Sequence, residues 1–235
     1  MPNHVTTRCA VFGPASETKR FADRAFIKKE QRTDFDFNAF IPMPEILSDT
    51  LSGSVSHEGA ILLSLTKGRS PPQSRMSSSS RDEIYPNRLA RMREELGLPQ
   101  APLAEVAQAW LDKNPDYRSE GEKRLRAFDE TGFADWYDWS IANWHTKWNA
   151  YDFHLVQLSP LEFTFNTAWD FPAPVFRKIA EQFPALSFRC SCYDEGGNFA
   201  GDGFFNPRDG QKEFGICDAT DELYERVYGH PPDLD

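Results

Sequence analysis

Residues 4–12 (HVTTRCAVF) alternate, with Val5, Thr7, Cys9 and Val11 on one side, and this period of two predicts a strand. Gly13-Pro14 closes it. Ser16 is placed to cap a helix reaching Lys29, whose inward face would hold Phe21, Ala22, Ala25 and Phe26. Phe35, Phe37 and Ala39 then alternate into Ile41-Pro42-Met43-Pro44, which predicts a second strand stopped by prolines. The chain therefore opens as strand–helix–strand.

Residues 45–84 are weakly patterned, and within them 68–80 (GRSPPQSRMSSSS) has almost nothing to bury, which predicts a mobile surface loop. From Pro86 to Ala150 the period is helical. Leu89, Met92 and Leu96 form one stripe, Val106, Ala109 and Trp110 a second, and Leu125 and Phe128 a third. Four tryptophans fall within DWYDWSIANWHTKWNAYD, where Tyr137, Ile141, Trp144 and Trp148 share one helical face while Trp136 and Trp139 lie off it. So aromatic a seam is expected to pack on something large.

After residue 150 the period returns to two. Leu155 to Leu158 is a short strand, and Leu161, Phe163 and Phe165 alternate against Glu162, Thr164 and Asn166. Pro172 and Pro174 introduce a helix with Val175, Phe176, Ile179, Ala180 and Phe183 inward. Leu186, Phe188, Cys190 and Cys192 alternate next, Gly196-Gly197-Asn198 turns the chain, and Phe199 to Phe205 returns. The two ends together describe an α+β protein, a split βαβ sandwich with an antiparallel sheet and helices on one face. The sheet parts are residues 1–44 and 151–215, 45–150 is a long, mostly helical insertion, and 216–235 is an acidic C-terminal tail.

Charge is distributed unevenly. The net charge is -10, yet residues 1–150 hold 20 Lys/Arg against 21 Asp/Glu, whereas residues 151–235 hold 6 against 15. An acidic surface repels phosphate backbones, so direct nucleic-acid binding by the C-terminal part is not expected, and a basic host protein fits the sign. The longest apolar run, Ala60 to Leu63, spans no membrane, and the N-terminus lacks the apolar stretch of a signal peptide. A cytoplasmic protein is expected. The four cysteines lack C-x-x-C spacing and read as free thiols.

Candidate chemistry is sparse. His145, Lys147 and Asn149 are polar neighbours in the aromatic segment, and His145 has the residue type of a general base. Asp152 and His154 alternate onto one strand face, a weak ligand pattern that Cys190 or Cys192 would complete from across the sheet. An unrecognised enzyme site would draw on His145, Lys147, Asp152 and His154, between sheet and insertion. Asp194, Glu195 and Asp202 flank the glycine turn, where paired carboxylates serve acid–base work at fixed separations, a partner, or the turn itself as solvated residues. Trp136 and Trp139 are the aromatic candidates for a partner surface. No phosphate loop, nucleophile elbow or H-E-x-x-H helix occurs, and no cofactor or metal is implied.

Five segments, PNHVTTRCAVFG, FIPMP, NWHTKWNAYD, FNTAWDFPAPVFRKIAEQFPALSF and YDEGGNFAG, together resemble the YubB/Api92-like family, proteins of phages, plasmids and bacterial genomes. The resemblance touches both ends of the chain and leaves about residues 45–130 uncovered. It implies a ferredoxin-like fold, which names a topology and no iron–sulfur cluster, and it brings no established activity. A mobile-element setting implies an accessory role, and with the charge it gives the expectation of a non-enzymatic protein that binds a partner through an acidic surface. One position departs from the family: its N-W-G-T-K-W has glycine where this chain has His145. Because a helix tolerates His better than Gly, the helix is expected to continue through it.

Overall fold

The computed structural model describes residues 3–30, 32–71 and 86–232. In chain order its elements are β1 (His4–Phe12), α1 (Ala15–Ala25), β2 (Phe26–Lys28), β3 (Thr33–Phe35), α2 (Glu45–Ser48), α3 (Ser54–Thr66), α4 (Pro86–Leu96), α5 (Leu103–Lys113), α6 (Pro115–Thr131), α7 (Trp136–Trp144), β4 (Tyr151–Leu158), β5 (Leu161–Ala168), α8 (Ala173–Gln182), β6 (Ser187–Asp194), β7 (Ala200–Phe205), β8 (Gly215–Cys217) and α9 (Asp221–Tyr228). They fall into two compact units, Met1–Pro42 with Asn143–Asp235, and Met43–Ala142. The loop expected over 68–80 lies, from residue 72 onward, outside the described residues.

The first unit is built on a six-stranded sheet of order β4-β5-β1-β6-β7-β8, antiparallel throughout. Four adjacent strands, β4-β5-β1-β6, follow the ferredoxin-like plan. α1 lies on the connection from β1 to β4, and α8 joins β5 to β6. The connection from β1 to β4 also contains the whole of residues 43–142, the long helical insertion of an α+β chain.

Alternation supplies the core. Val5, Thr7, Cys9 and Val11 of β1 are buried beside Phe163 and Phe165 of β5 and Phe188 of β6. Phe21 of α1 and Phe176 of α8 close this face, with ring centroids 5.1 Å from Phe188 and 6.1 Å from Phe165 respectively. Each fully buried phenylalanine contributes about 1.5–3 kcal/mol.

Several expectations are corrected here. α1 begins at Ala15 behind Pro14, with Ser16 inside the helix, and it ends at Ala25. Phe26 turns extended and starts a two-stranded hairpin with β3, because its ring packs on Phe153 at 4.7 Å and on Phe35 at 6.2 Å. The strand expected through Phe35–Ile41 is a single 3-10 turn over Phe37–Ala39 instead. The Asp36 side chain accepts the Asn38 N–H there and pins that turn. Phe35, Phe37 and Phe40 are all buried, so the turn reaches with three rings what a strand would reach with alternate ones. The sheet's second strand in chain order is therefore β4, which lies beyond the insertion.

The second sheet face is also covered, contrary to the one-sided arrangement expected. Tyr193, Asp202 and Arg8 alternate with core-facing residues and so point away from α1 and α8. Tyr224 of α9 packs on Tyr193 at 5.3 Å, Arg226 pairs with Asp202 at 2.9 Å, and Leu223 and Val227 are buried beside Ala200. Residues read as an acidic tail thus hold the sheet's last strand and a packed helix.

The unit Met43–Ala142 is helical. The segment read as weakly patterned contains α3, whose Gly59 to Ser64 are all buried. Six successive buried residues take in every side of a helix and show no amphipathic period, which is why the pattern missed it. α3 and α6 approach so closely that a Cβ on Gly59 would stand 1.9 Å from the Tyr117 carbonyl oxygen. Leu62, Leu63, Met92, Val106, Trp110 and Leu125 share the core of this unit. Arg124 and Asp135 form a buried ion pair, and Asp135 also accepts the Asp138 N–H at 2.9 Å, capping α7.

α7 stops at Trp144, and His145 stands at φ 65. The helix expected through His145 does not form, and Trp148 leaves the shared face with it. Trp144 is buried, with its indole N–H donating to the Ile41 carbonyl at 3.0 Å and its ring 5.7 Å from Phe37. Asn149 ties the following segment down, since its Oδ1 accepts the Phe37 N–H at 2.9 Å and its amide donates to Asp36.

Candidate functional site

The four residues singled out for catalysis fall within residues 145–154, and the structure gives each its own surroundings. His145 is exposed in a left-handed backbone conformation. Lys147 Nζ lies 4.7 Å from the Trp148 ring centroid and 5.0 Å from that of Trp169, a cation held against two indole faces. Asp152 is exposed at φ 50, and its carboxylate accepts from Asn166 at 3.2 Å. His154, also exposed, sits opposite Thr164 beyond a register shift in β4.

Around the same end of the sheet the structure adds groups that sequence patterning did not single out. His4 Nδ1 and the Tyr151 hydroxyl are 2.5 Å apart, and that hydroxyl donates to the Thr167 carbonyl at 3.2 Å. Burial pushes the Tyr151 hydroxyl up to about 12, with Asp152 and Glu195 adding to the shift. Burial likewise raises the Asp170 carboxyl, against the Phe171 N–H and the field of His145. Trp169, at φ 76, donates its N–H to the Asn3 carbonyl at 3.0 Å. His145, Asp152 and Trp169 are three of the four non-glycine residues with positive φ among the described residues. Such strain marks a place worth testing and does not by itself define a reaction.

The residues singled out for binding separate by environment. Trp139 is 5% exposed and presents no ring to a partner, and Trp136 is half-buried with its backbone N–H on Thr50. Asp194 is 1% exposed and organises the glycine turn, with one carboxylate oxygen accepting from Gly196 N, Asn198 N and Asn198 Nδ2 at 3.2, 3.1 and 2.6 Å. Glu195 accepts the His4 N–H at 2.8 Å. Asp202 accepts from Ser191 at 2.7 Å and pairs with Arg226 and Arg189. All three carboxylates are engaged inside their own unit.

Other carboxylates remain outward. Asp209, Glu213, Asp218, Asp221 and Glu225 are exposed, and none takes part in an ion pair among the described residues. α9 turns Leu223 and Val227 inward, which leaves Asp221, Glu222 and Glu225 on its outer side. Ile216 of β8, an edge strand, is 63% exposed on the same stretch of chain. The sequence signal was present in the acidic run after Ile216, but nothing in it distinguished these acids from those of the turn. Among the described residues no three His, Cys, Asp or Glu side chains gather to hold a metal ion, and no helix is long and apolar enough to cross a membrane.

Topology and packing thus define a ferredoxin-like α+β protein with a helical insertion. Residues 143–226 match the family described as "Ferredoxin-like domain in Api92-like protein", so the resemblance to Api92-like proteins holds over that segment. A crystal structure of the protein api92 from Yersinia pseudotuberculosis is similar at 10% identity and a TM-score of 0.39, over 94% of this chain and 99% of that one. No curated protein matches the sequence.

Proposed function

We propose that this protein is a non-enzymatic accessory protein that binds a basic protein partner through the outward carboxylates of the β8–α9 region. The observation that carries the reading is the sorting of acids. Asp194, Glu195 and Asp202 are consumed by the fold, whereas Asp209, Glu213, Asp218, Asp221 and Glu225 are exposed and outside every ion pair among the described residues. The field of a surface on which acids outnumber bases accelerates encounter with an oppositely charged partner and disfavours like charge. Its range is about 10 Å at ordinary ionic strength, so binding weakens with salt.

The test is affinity capture from a bacterial lysate at low and moderate salt. Wild type is compared with a variant carrying Asp218→Lys, Asp221→Lys and Glu225→Lys. The expected result is a specific protein, retained less at moderate salt and lost from the charge-reversed variant. An empty capture at both salts, or a partner retained equally by both proteins, overturns the reading.

A further inference from the structure

We infer that Cys9 and Cys190 are a covalent modification site, a thiol pair built to close into a disulfide between the first and last strands of the ferredoxin-like core. The two residues are direct register partners across β1 and β6. Residues opposed in antiparallel strands have Cα atoms about 4.5–5.5 Å apart, within the range a disulfide spans. Both side chains leave the same face of the sheet, and their sulfurs are 3.7 Å apart. A disulfide needs about 2.05 Å, so side-chain rotation closes the gap without a change of register.

The other thiols do not compete on geometry. Cys192 shares that face but is opposite Thr7, and Cys217 of β8 is opposite Ala200 of β7. The pairing is therefore single, and it was invisible in a sequence where Cys9 stood alone. Its consequence is topological. The bond would join strands that lie on either side of the insertion in the chain, fixing the halves of the split sandwich to each other.

The reaction takes a hydroperoxide as oxidant. One thiolate attacks the outer peroxide oxygen and the O–O bond breaks, giving a sulfenic acid and an alcohol, or water where the oxidant is hydrogen peroxide. The second thiol attacks the sulfenic sulfur, the S–S bond forms and water leaves. Two thiols are oxidised by two electrons and one peroxide is reduced. Both thiols are fully buried, so oxidation proceeds through opened sheet and is slow in the native protein.

The experiment exposes wild-type protein to stoichiometric hydrogen peroxide in denaturant just high enough to permit opening, followed by refolding and non-reducing peptide mapping. The expected result is a loss of two hydrogens in mass and one linked pair, Cys9 with Cys190. Reductant should reverse both. The oxidised protein should show an unfolded-to-folded ratio lower by about 30-fold than the reduced one. Linkage of Cys190 to Cys192 or Cys217, oxidation of the thiols without linkage, or a bridged protein no more stable than the reduced one overturns the inference. Mapping needs no variant. Cys9→Ala should additionally abolish the linked peptide, and a linked Cys190 in that variant also overturns it.

Discussion

His145 carries its imidazole on a backbone shape that favours glycine. At φ 65 the side chain of an L-residue crowds the following carbonyl, at a cost of about 1–2 kcal/mol. The residue is exposed, so burial does not compensate for that cost. The position ends α7 and turns the chain toward β4, and a left-handed residue is a common helix stop. His145→Gly should therefore stabilise the protein by about 0.5–1 kcal/mol, after allowing for glycine's greater freedom in the unfolded chain. Chemical denaturation measures this directly, and an unchanged or lower midpoint would show that the imidazole itself contributes. The substitution also removes the field of His145 that opposes the raised Asp170 carboxyl, so that carboxyl should rise further.

Elements are held by single charged residues as much as by apolar stripes. Asp202 on β7 gathers Ser191 from β6 and Arg226 from α9, fixing the helix to the sheet's second face. Burial pushes its carboxyl up, but the Ser191 hydroxyl and the two guanidinium groups of Arg189 and Arg226 outweigh that, and the net shift is downward. A carboxyl lowered in the folded state stabilises fully above the unfolded value of about 3.9. That contribution is lost as pH falls through the lower folded value. Asp202→Asn should thus cost about 1–2 kcal/mol at neutral pH, and its difference from wild type should close as pH drops below about 4. Urea titrations of both proteins across that window check the sign; a gap that widens in acid would contradict it. Patterning recovered elements where one face was wet, as in β1, β5 and α8. It failed at α3, which is buried on all sides, and at Phe35–Phe40, where a side-chain cap turned an alternation into a 3-10 turn. Period alone distinguishes neither case.

At the scale of the molecule the ferredoxin-like plan was legible because its strands alternate on both sides of the insertion, while the candidate site was legible only as composition. Asp194 and Asp221 look alike in sequence; one is 1% exposed within a turn and the other faces solvent on α9. That difference arises from contacts between distant residues, such as Asn3 with Asp194, which no local pattern contains. The same long-range assembly sorts the cysteines. All four are free and lie in the unit formed by residues 1–42 and 143–235, whereas tryptophans occur in both units. Cys9, Cys190 and Cys192 are fully buried, and burial raises the Cys190 and Cys192 thiols well above the ordinary range. Cys217 is only partly covered. A thiolate is the reactive form, and a water-soluble disulfide reagent needs access as well. Reduced native protein should therefore titrate one thiol rapidly, and that fast phase should vanish in Cys217→Ser. The other three should react only as the sheet opens, at a rate rising with denaturant and unaffected by reagent excess once opening is limiting. Because these thiols sit in one unit alone, their slow phase would give the opening rate of the ferredoxin-like sheet separately from tryptophan fluorescence, which reports both units together. Three or four fast thiols in the native protein would mean that β1 and β6 do not close over their core.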